Sequence, residues 1–233
     1  MSRPEPAPIL VVAALNYELE KLRHAAHTSV ALLETGEGVA NARRHLESWL
    51  EQSAARAVLS IGFAGALSAS LRVGDLVIAS DIHGSRERPD SMLLAVAEQV
   101  RMEWPVHLGV AVTSNEILWQ AESKRALAAS LATSEIGFVD MESTAIAGVC
   151  TRRQVPFLII RSISDLLDED LPLDFNQYRD RNGSVDPAKV VNAALLRPAA
   201  LKGLFELRKR SRLCADRLAD FVERLIPFIS QVA

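Results

Sequence analysis

A hydrophobic run that ends in charged residues is the feature of this sequence that most constrains its fold. Residues 155–160 are apolar throughout, and Arg161, Ser164 and Asp165 follow them closely. Such a run is typical of a strand that is covered on both faces. Charged groups at its end are costly to bury unless they bind a partner, and ligands of open α/β sheets lie at the carboxyl ends of the strands. We therefore expect a ligand site at this strand end.

Apolar segments alternate with helical patterns along the rest of the chain. Further strands are predicted at 9–14, 29–33, 57–61, 76–79 and 107–112. Helices are predicted at 41–51, 92–102, 121–131 and 142–152, and Asp186 followed by Pro187 is a typical start of another. This alternation predicts an α/β layer sandwich. No linker or repeat interrupts it, so we interpret residues 1–233 as one domain with an extended helical C-terminus over about 186–233.

Composition excludes several classes of function. The net charge of -3 gives no general electrostatic reason to bind nucleic acid. Two cysteines, Cys150 and Cys214, do not form a disulfide framework, and residues 1–6 lack the apolar core of a signal peptide. A cytoplasmic location is expected. The five histidines show no metal-ligand spacing and no G-x-S-x-G elbow occurs, so neither a metal site nor a serine hydrolase is predicted.

Two acidic positions beside predicted strands are candidates for acid–base chemistry. Glu18 lies just past the first strand, where a solvated carboxylate in the first turn of a helix is the alternative interpretation. Asp165 can be held protonated by burial and act as a general acid, or it can simply cap the segment that follows.

Two other features can bind a sugar or an anion. Glycine turns are predicted at 36–38 and 62–65, each between a strand and a helix, where backbone N–H groups can face a ligand. A purely structural turn explains each of them when it is taken singly. Glu142 can accept hydrogen bonds from both hydroxyls of a vicinal diol while Met141 packs on the sugar. The alternative is a helix N-terminal acid beside a core methionine.

Three motifs in this order resemble the purine nucleoside phosphorylase / uridine phosphorylase superfamily. They are residues 62–67 with 73–75, residues 140–147, and residues 155–165. The nearest well-known branch is the methylthioadenosine / S-adenosylhomocysteine nucleosidases. The resemblance implies a three-layer α/β/α sandwich with a twisted mixed central sheet. It also implies cleavage of the N-glycosidic bond of a purine nucleoside, a small-molecule nucleoside as partner, no cofactor, and a homo-oligomer, with a dimer as the first expectation.

The resemblance also implies a role for each candidate. Asp165 would protonate or hydrogen-bond N7 of the purine, and Glu142 would hold the ribose 2′- and 3′-hydroxyls with Met141 against the sugar. Glu18 would position or deprotonate an attacking water, assisted by Arg161. The expected catalytic residues are thus Glu18, Arg161 and Asp165. The expected substrate-binding residues are Phe63, Ala64, Gly65, Ile117, Leu118, Met141, Glu142 and Ser164.

Departures from the family pattern leave alternatives open. Phosphorylases commonly place Ser or Thr where Phe63 stands, which favours water as the nucleophile, although Arg43 or Arg44 can still reach an anion such as phosphate. Phosphorolysis therefore stays an alternative, as do a non-catalytic nucleoside-binding protein and a general α/β binding module. The segment between Asp81 and Met92 is shorter than in small-substrate nucleosidases, which predicts a pocket that is more open at the 5′ end.

The C-terminal part resembles the tail of the hopanoid-associated phosphorylase branch, whose members are proposed to remove adenine from adenosylhopane. Apolar positions follow helical spacing there, beside five basic residues. The apolar positions are Leu204, Leu207, Cys214, Leu218, Phe221, Leu225 and Phe228; the basic residues are Lys202, Arg208, Lys209, Arg210 and Arg212. Such a helix can meet a membrane surface, but a helix packed on the domain with a solvated basic side is the favoured interpretation.

Overall fold

A computed structural model describes residues 7–24, 29–132, 135–181, 183–195 and 197–232. The strands are β1 Ile9–Ala13, β2 Val30–Glu34, β3 Ala57–Ala66, β4 Leu76–Ile82, β5 Val106–Thr113, β6 Gly137–Asp140 and β7 Phe157–Asp165. The α-helices are α1 Asn16–Leu19, α2 Val39–Gln52, α3 Ser91–Ala97, α4 Ala121–Ala128, α5 Ser143–Arg153, α6 Pro187–Leu195 and α7 Pro198–Val232. Short 3₁₀ helices span Lys21–His24 and Phe175–Tyr178.

The seven strands form one mixed sheet, which confirms the predicted fold class. Their order is β2-β1-β3-β6-β5-β4-β7, and β3 also pairs with β7, so the sheet partly closes on itself. Strand β3 makes this possible because its length lets it pair in parallel with β7 over most of its residues and antiparallel with β6 at Gly65 and Ala66. The strand ends that carry charged residues are thereby brought together.

Helices cover both faces of the sheet, and the alternation of strand side chains explains why. In β1, Ile9 and Val11 pack on one side with α1, α3 and α7, while Leu10 and Val12 pack on the other with α2 and α5. The strands β3 and β7 divide their side chains between the same two cores. Both faces are hydrophobic, as the uninterrupted apolar runs in the sequence indicate.

The C-terminal helix α7 supplies a large part of one core. Its buried residues Leu218, Phe221 and Leu225 pack with residues of β1 and α3, so the apolar face predicted from helical spacing lies against the sheet. Phe228 is an exception, because 39% of it is exposed. Within the described ranges, no helix is both long enough and apolar enough to cross a membrane.

The glycine turn predicted at 62–65 is wrong. The structure continues β3 through these residues to Ala66, and the next regular element is strand β4 rather than a helix. The glycines leave room for two acidic side chains that pack closely against this strand. A Cβ at Gly62 would lie 3.2 Å from Glu18 Oε1, and a Cβ at Gly65 would lie 3.0 Å from Asp165 Oδ2.

Candidate active site

A cavity of about 680 Å³ lies where β1, β6 and β7 end and the second half of β3 passes. Ten of the eleven residues predicted from the sequence line it: Glu18, Phe63, Ala64, Gly65, Ile117, Leu118, Met141, Glu142, Ser164 and Asp165. The eleventh, Arg161, lies behind the wall. The structure therefore places three acidic side chains that are distant in sequence in one cavity.

Glu18 lies in the short helix α1, directly after β1, and only 3% of it is exposed. Its Oε2 accepts a hydrogen bond from the Leu15 N–H at 2.9 Å, and its Oε1 accepts one from the Phe63 N–H at 3.1 Å. Burial raises the pKa of Glu18 to about 7, although these two N–H groups and the Arg161 charge oppose the shift. A carboxyl group with such a pKa can exchange a proton near neutral pH.

Glu142 precedes α5 and is held by the glycine turn at 36–38. The Gly38 N–H donates to Glu142 Oε1 at 2.7 Å, and Gly38 has a φ of 88°, which favours glycine. The first predicted turn is thus real, but its N–H group binds a carboxylate of the chain itself. Burial and the neighbouring Asp140 raise the pKa of Glu142, whereas Arg161 lowers it.

Arg161 forms a buried ion pair with Asp140 rather than lining the cavity. Its Nε donates to Asp140 Oδ2 at 2.8 Å, and its other nitrogens donate to the carbonyl and hydroxyl oxygens of Ser60. Only 2% of Arg161 is exposed. It therefore acts on Glu18 and Glu142 through its charge, which lowers the pKa of both groups against the effect of burial.

Asp165 ends β7 and has two polar neighbours. Lys124 Nζ donates to its Oδ2 at 2.8 Å, and the Ser164 hydroxyl donates to its Oδ1 at 2.8 Å. The sequence interpretation expected burial alone to govern this carboxyl group and did not identify Lys124. Lys124 lies in α4 amid an ordinary helical pattern, so nothing in the sequence distinguishes it from a solvated lysine.

Apolar residues from the C-terminal part form the remaining wall, which the sequence analysis also did not identify. They come from the segment after β7, from α6 and from α7: Leu171, Phe175, Val185, Val190, Val191, Leu201, Leu204, Phe205 and Leu207. Glu37 fastens this part to the glycine turn, since its Oε2 accepts a hydrogen bond from the Val185 N–H at 2.7 Å. Tyr17 and Phe63 also line the cavity, and the centroids of their rings lie 5.5 Å apart.

Comparison with known proteins assigns the chain to a family. The sequence model of the phosphorylase superfamily matches residues 12–196. The chain belongs to the phosphorylase superfamily. The match includes the three motifs of the sequence analysis and the residues that line the cavity, except those of α7.

Relatives within the phosphorylase superfamily carry the name 5′-methylthioadenosine/S-adenosylhomocysteine nucleosidase. One from Bacillus thuringiensis (strain Al Hakam) is 29% identical over 186 residues, which are 70% of this chain and 79% of the relative. One from Bacillus anthracis shows the same identity and coverage.

Solved structures of nucleosidases and of a futalosine hydrolase share the fold. The nucleosidase from Neisseria meningitidis, in complex with methylthio-immucillin-A, has a TM-score of 0.72 and 20% identity, over 95% of this chain and 99% of that one. The Colwellia psychrerythraea nucleosidase in complex with adenine has a TM-score of 0.71 and 18% identity, over 97% of this chain and 96% of that one. Futalosine hydrolase of Helicobacter pylori has a TM-score of 0.72 and 16% identity, over 95% of this chain and 97% of that one.

Proposed function

We propose that this protein cleaves the N-glycosidic bond of a purine nucleoside with water and releases the free base. The observation that carries the proposal is the convergence of Glu18, Glu142 and Asp165 in one cavity with an otherwise largely apolar wall. Membership of the phosphorylase superfamily and the nucleosidase names of relatives support the same reaction.

Each carboxyl group has a separate task in the proposed reaction. Asp165 donates a proton to N7 of the purine as the bond between C1′ and N9 breaks. Glu142 accepts hydrogen bonds from the ribose hydroxyls, with Met141 against the sugar. Glu18 takes a proton from the water that attacks C1′. Negative charge on ionised Glu18 stabilises the positive charge that develops on the ribosyl group.

The charge around the cavity favours water over phosphate as the nucleophile. Glu18, Glu37 and Glu142 line the cavity and outnumber the basic lining residue Arg208, and the buried charge of Arg161 is already paired with Asp140. A phosphate dianion near these carboxylates would meet like charges at short range, which is costly in a site of low dielectric constant. Phe63 also offers no hydroxyl group to such an anion.

The apolar wall supports a 5′-modified adenine nucleoside as the substrate. With the base near Asp165 and the sugar near Glu142, the wall formed by α6 and α7 remains for the 5′ substituent. Relatives named for 5′-methylthioadenosine and S-adenosylhomocysteine, whose 5′ groups are thioethers, agree with this arrangement.

The test is incubation of the purified protein with 5′-methylthioadenosine, S-adenosylhomocysteine and adenosine, with and without phosphate. We expect adenine and the free sugar at equal rates in both buffers, and a large loss of rate in Asp165→Asn. A sugar 1-phosphate formed only with phosphate would show phosphorolysis instead. Binding of adenine without any turnover would show a nucleoside-binding protein. The expected homodimer and the cytoplasmic location stay predictions, and light scattering tests the first.

A further inference from the structure

Lys124 is a buried, charged residue that has no role in the reaction proposed above. None of its surface is exposed, and its ammonium group lies 2.8 Å from Asp165 Oδ2. Burial of an ammonium group is strongly unfavourable unless a partner compensates for it. The ammonium group also donates to the Leu166 carbonyl oxygen, and the start of α4 is held where the Ala121 N–H donates to Asp170 Oδ1 at 2.8 Å.

We propose that Lys124 is a positioning residue for Asp165, through which it acts on the leaving base. This inference rests on the proposed function. In the reacting complex Asp165 has taken up a proton from solvent. During cleavage its O–H bond breaks, an N7–H bond forms, and the electron pair of the C1′–N9 bond moves into the purine. Asp165 is left as a carboxylate in a cavity with little water. The Lys124 charge stabilises that carboxylate and so favours the proton transfer.

The geometry also explains how Asp165 is held toward the ligand. Lys124 binds Oδ2 and the Ser164 hydroxyl binds Oδ1, so the plane of the carboxyl group is fixed from two directions. Gly65 leaves room beside the Asp165 carboxyl group, because a Cβ at position 65 would lie only 3.0 Å from Asp165 Oδ2. Lys124 itself does not line the cavity. It therefore reaches the substrate only through Asp165.

A purely structural role for Lys124 is the competing explanation. The same helix holds the segment after β7 through Arg125, which pairs with Asp168 at 2.9 Å, but there both side chains are more than half exposed. Arg125 is thus a matched control. It lies next to Lys124 in α4 and contacts a residue three positions after Asp165, but not Asp165 itself.

The experiment compares Lys124→Met and Arg125→Met with the wild-type protein on two substrates. With 5′-methylthioadenosine the leaving base needs a proton, whereas the p-nitrophenolate of p-nitrophenyl β-ribofuranoside leaves without one. We expect Lys124→Met to lower kcat for 5′-methylthioadenosine by about tenfold or more, which is part of the roughly 10²–10⁴-fold that a general acid contributes. Hydrolysis of the p-nitrophenyl riboside should change little, and Arg125→Met should resemble wild type with both substrates. Equal losses on both substrates would overturn the inference.

A double variant keeps the inference testable if Lys124→Met alone does not fold. The variant Lys124→Met/Asp165→Asn removes both partners and leaves no unpaired charge buried. Its kcat should equal that of Asp165→Asn, because a residue that acts through Asp165 has nothing further to lose. A further decrease would overturn the inference. An inactive wild-type protein would instead refute the proposed function, which separates the two failures.

Discussion

At the scale of single residues, Glu18 shows how the backbone of a neighbouring strand determines the state of a carboxyl group. Its oxygens accept hydrogen bonds from two N–H groups, and the positive charge of Arg161, which acts on it, is paired with Asp140. Burial therefore outweighs the favourable contacts, and the pKa rises to about 7. Glu18 is thus suited to accept a proton from water near neutral pH, provided that it is ionised.

Glu18→Gln should lower kcat for adenine release by on the order of 10²–10⁴, the usual contribution of a general base. In the wild-type protein, kcat should rise with pH through about 7, because the carboxylate is the active form. This rise should be absent from the residual activity of the variant. Initial rates of adenine release from pH 5 to 9 measure both effects.

The matched control is Glu20→Gln, since Glu20 is exposed and lies two residues away in the sequence. It should keep both the rate and the pH profile of wild type. A Glu18→Gln variant that retained the wild-type rise near pH 7 would show that another group takes the proton.

The acidic residues could be predicted from the sequence and their cationic neighbour could not. Glu18, Glu142 and Asp165 each lie at a strand end or helix start, and local sequence marks such positions. Lys124 contacts Asp165 across 41 residues, a separation that leaves no periodic signal in either segment. A buried lysine on a helix has the same sequence pattern around it as an exposed lysine.

At the scale of elements, strand β3 is longer than its sequence indicates. Glycine within a strand is unfavourable, so residues 62–65 favour a turn on local grounds. The tertiary contacts of Glu18 and Asp165 require those glycines in the strand, which is information that lies elsewhere in the chain. The cavity wall from α6 and α7 was missed for a similar reason, because the spacing of Leu204 and Leu207 shows a buried face but not what that face contacts.

The first half of helix α7 lines the cavity and the second half packs in the core, and substitution of Phe205 tests the role of the first half. Phe205 lines the cavity although 57% of it is exposed, which fits a wall that an apolar 5′ group would cover. Phe205→Ser should lower the preference for 5′-butylthioadenosine over 5′-methylthioadenosine, measured as kcat/KM, by about fourfold. That is roughly the value of one buried methylene group, about 0.8 kcal/mol.

The control for this change lies near the end of the same helix. Phe228 is also partly exposed, but it does not line the cavity. Phe228→Ser should leave the ratio of the two substrates unchanged. An equal effect of both substitutions would mean that the wall of α7 does not contact the 5′ group.

At the scale of the whole molecule, the cavity links the proposed activity to stability. The pKa of Glu18 rises from an ordinary carboxyl value near 4.5 to about 7 on folding. Between these values the native state binds more protons than the unfolded state, so the contribution of Glu18 to stability is present at low pH and is lost as pH rises through about 7. Glu142, whose pKa is also raised, changes stability in the same direction.

The free energy of unfolding of wild type should therefore fall relative to that of Glu18→Gln between about pH 4.5 and pH 8. The difference should reach on the order of 3 kcal/mol, since each unit of pKa corresponds to about 1.4 kcal/mol. Urea unfolding at several pH values measures it, and comparison of the two proteins cancels the titration of all other groups. Parallel curves over this range would mean that Glu18 is as well solvated in the folded protein as in the unfolded chain. The low-dielectric surroundings on which its role as a base depends would then be absent.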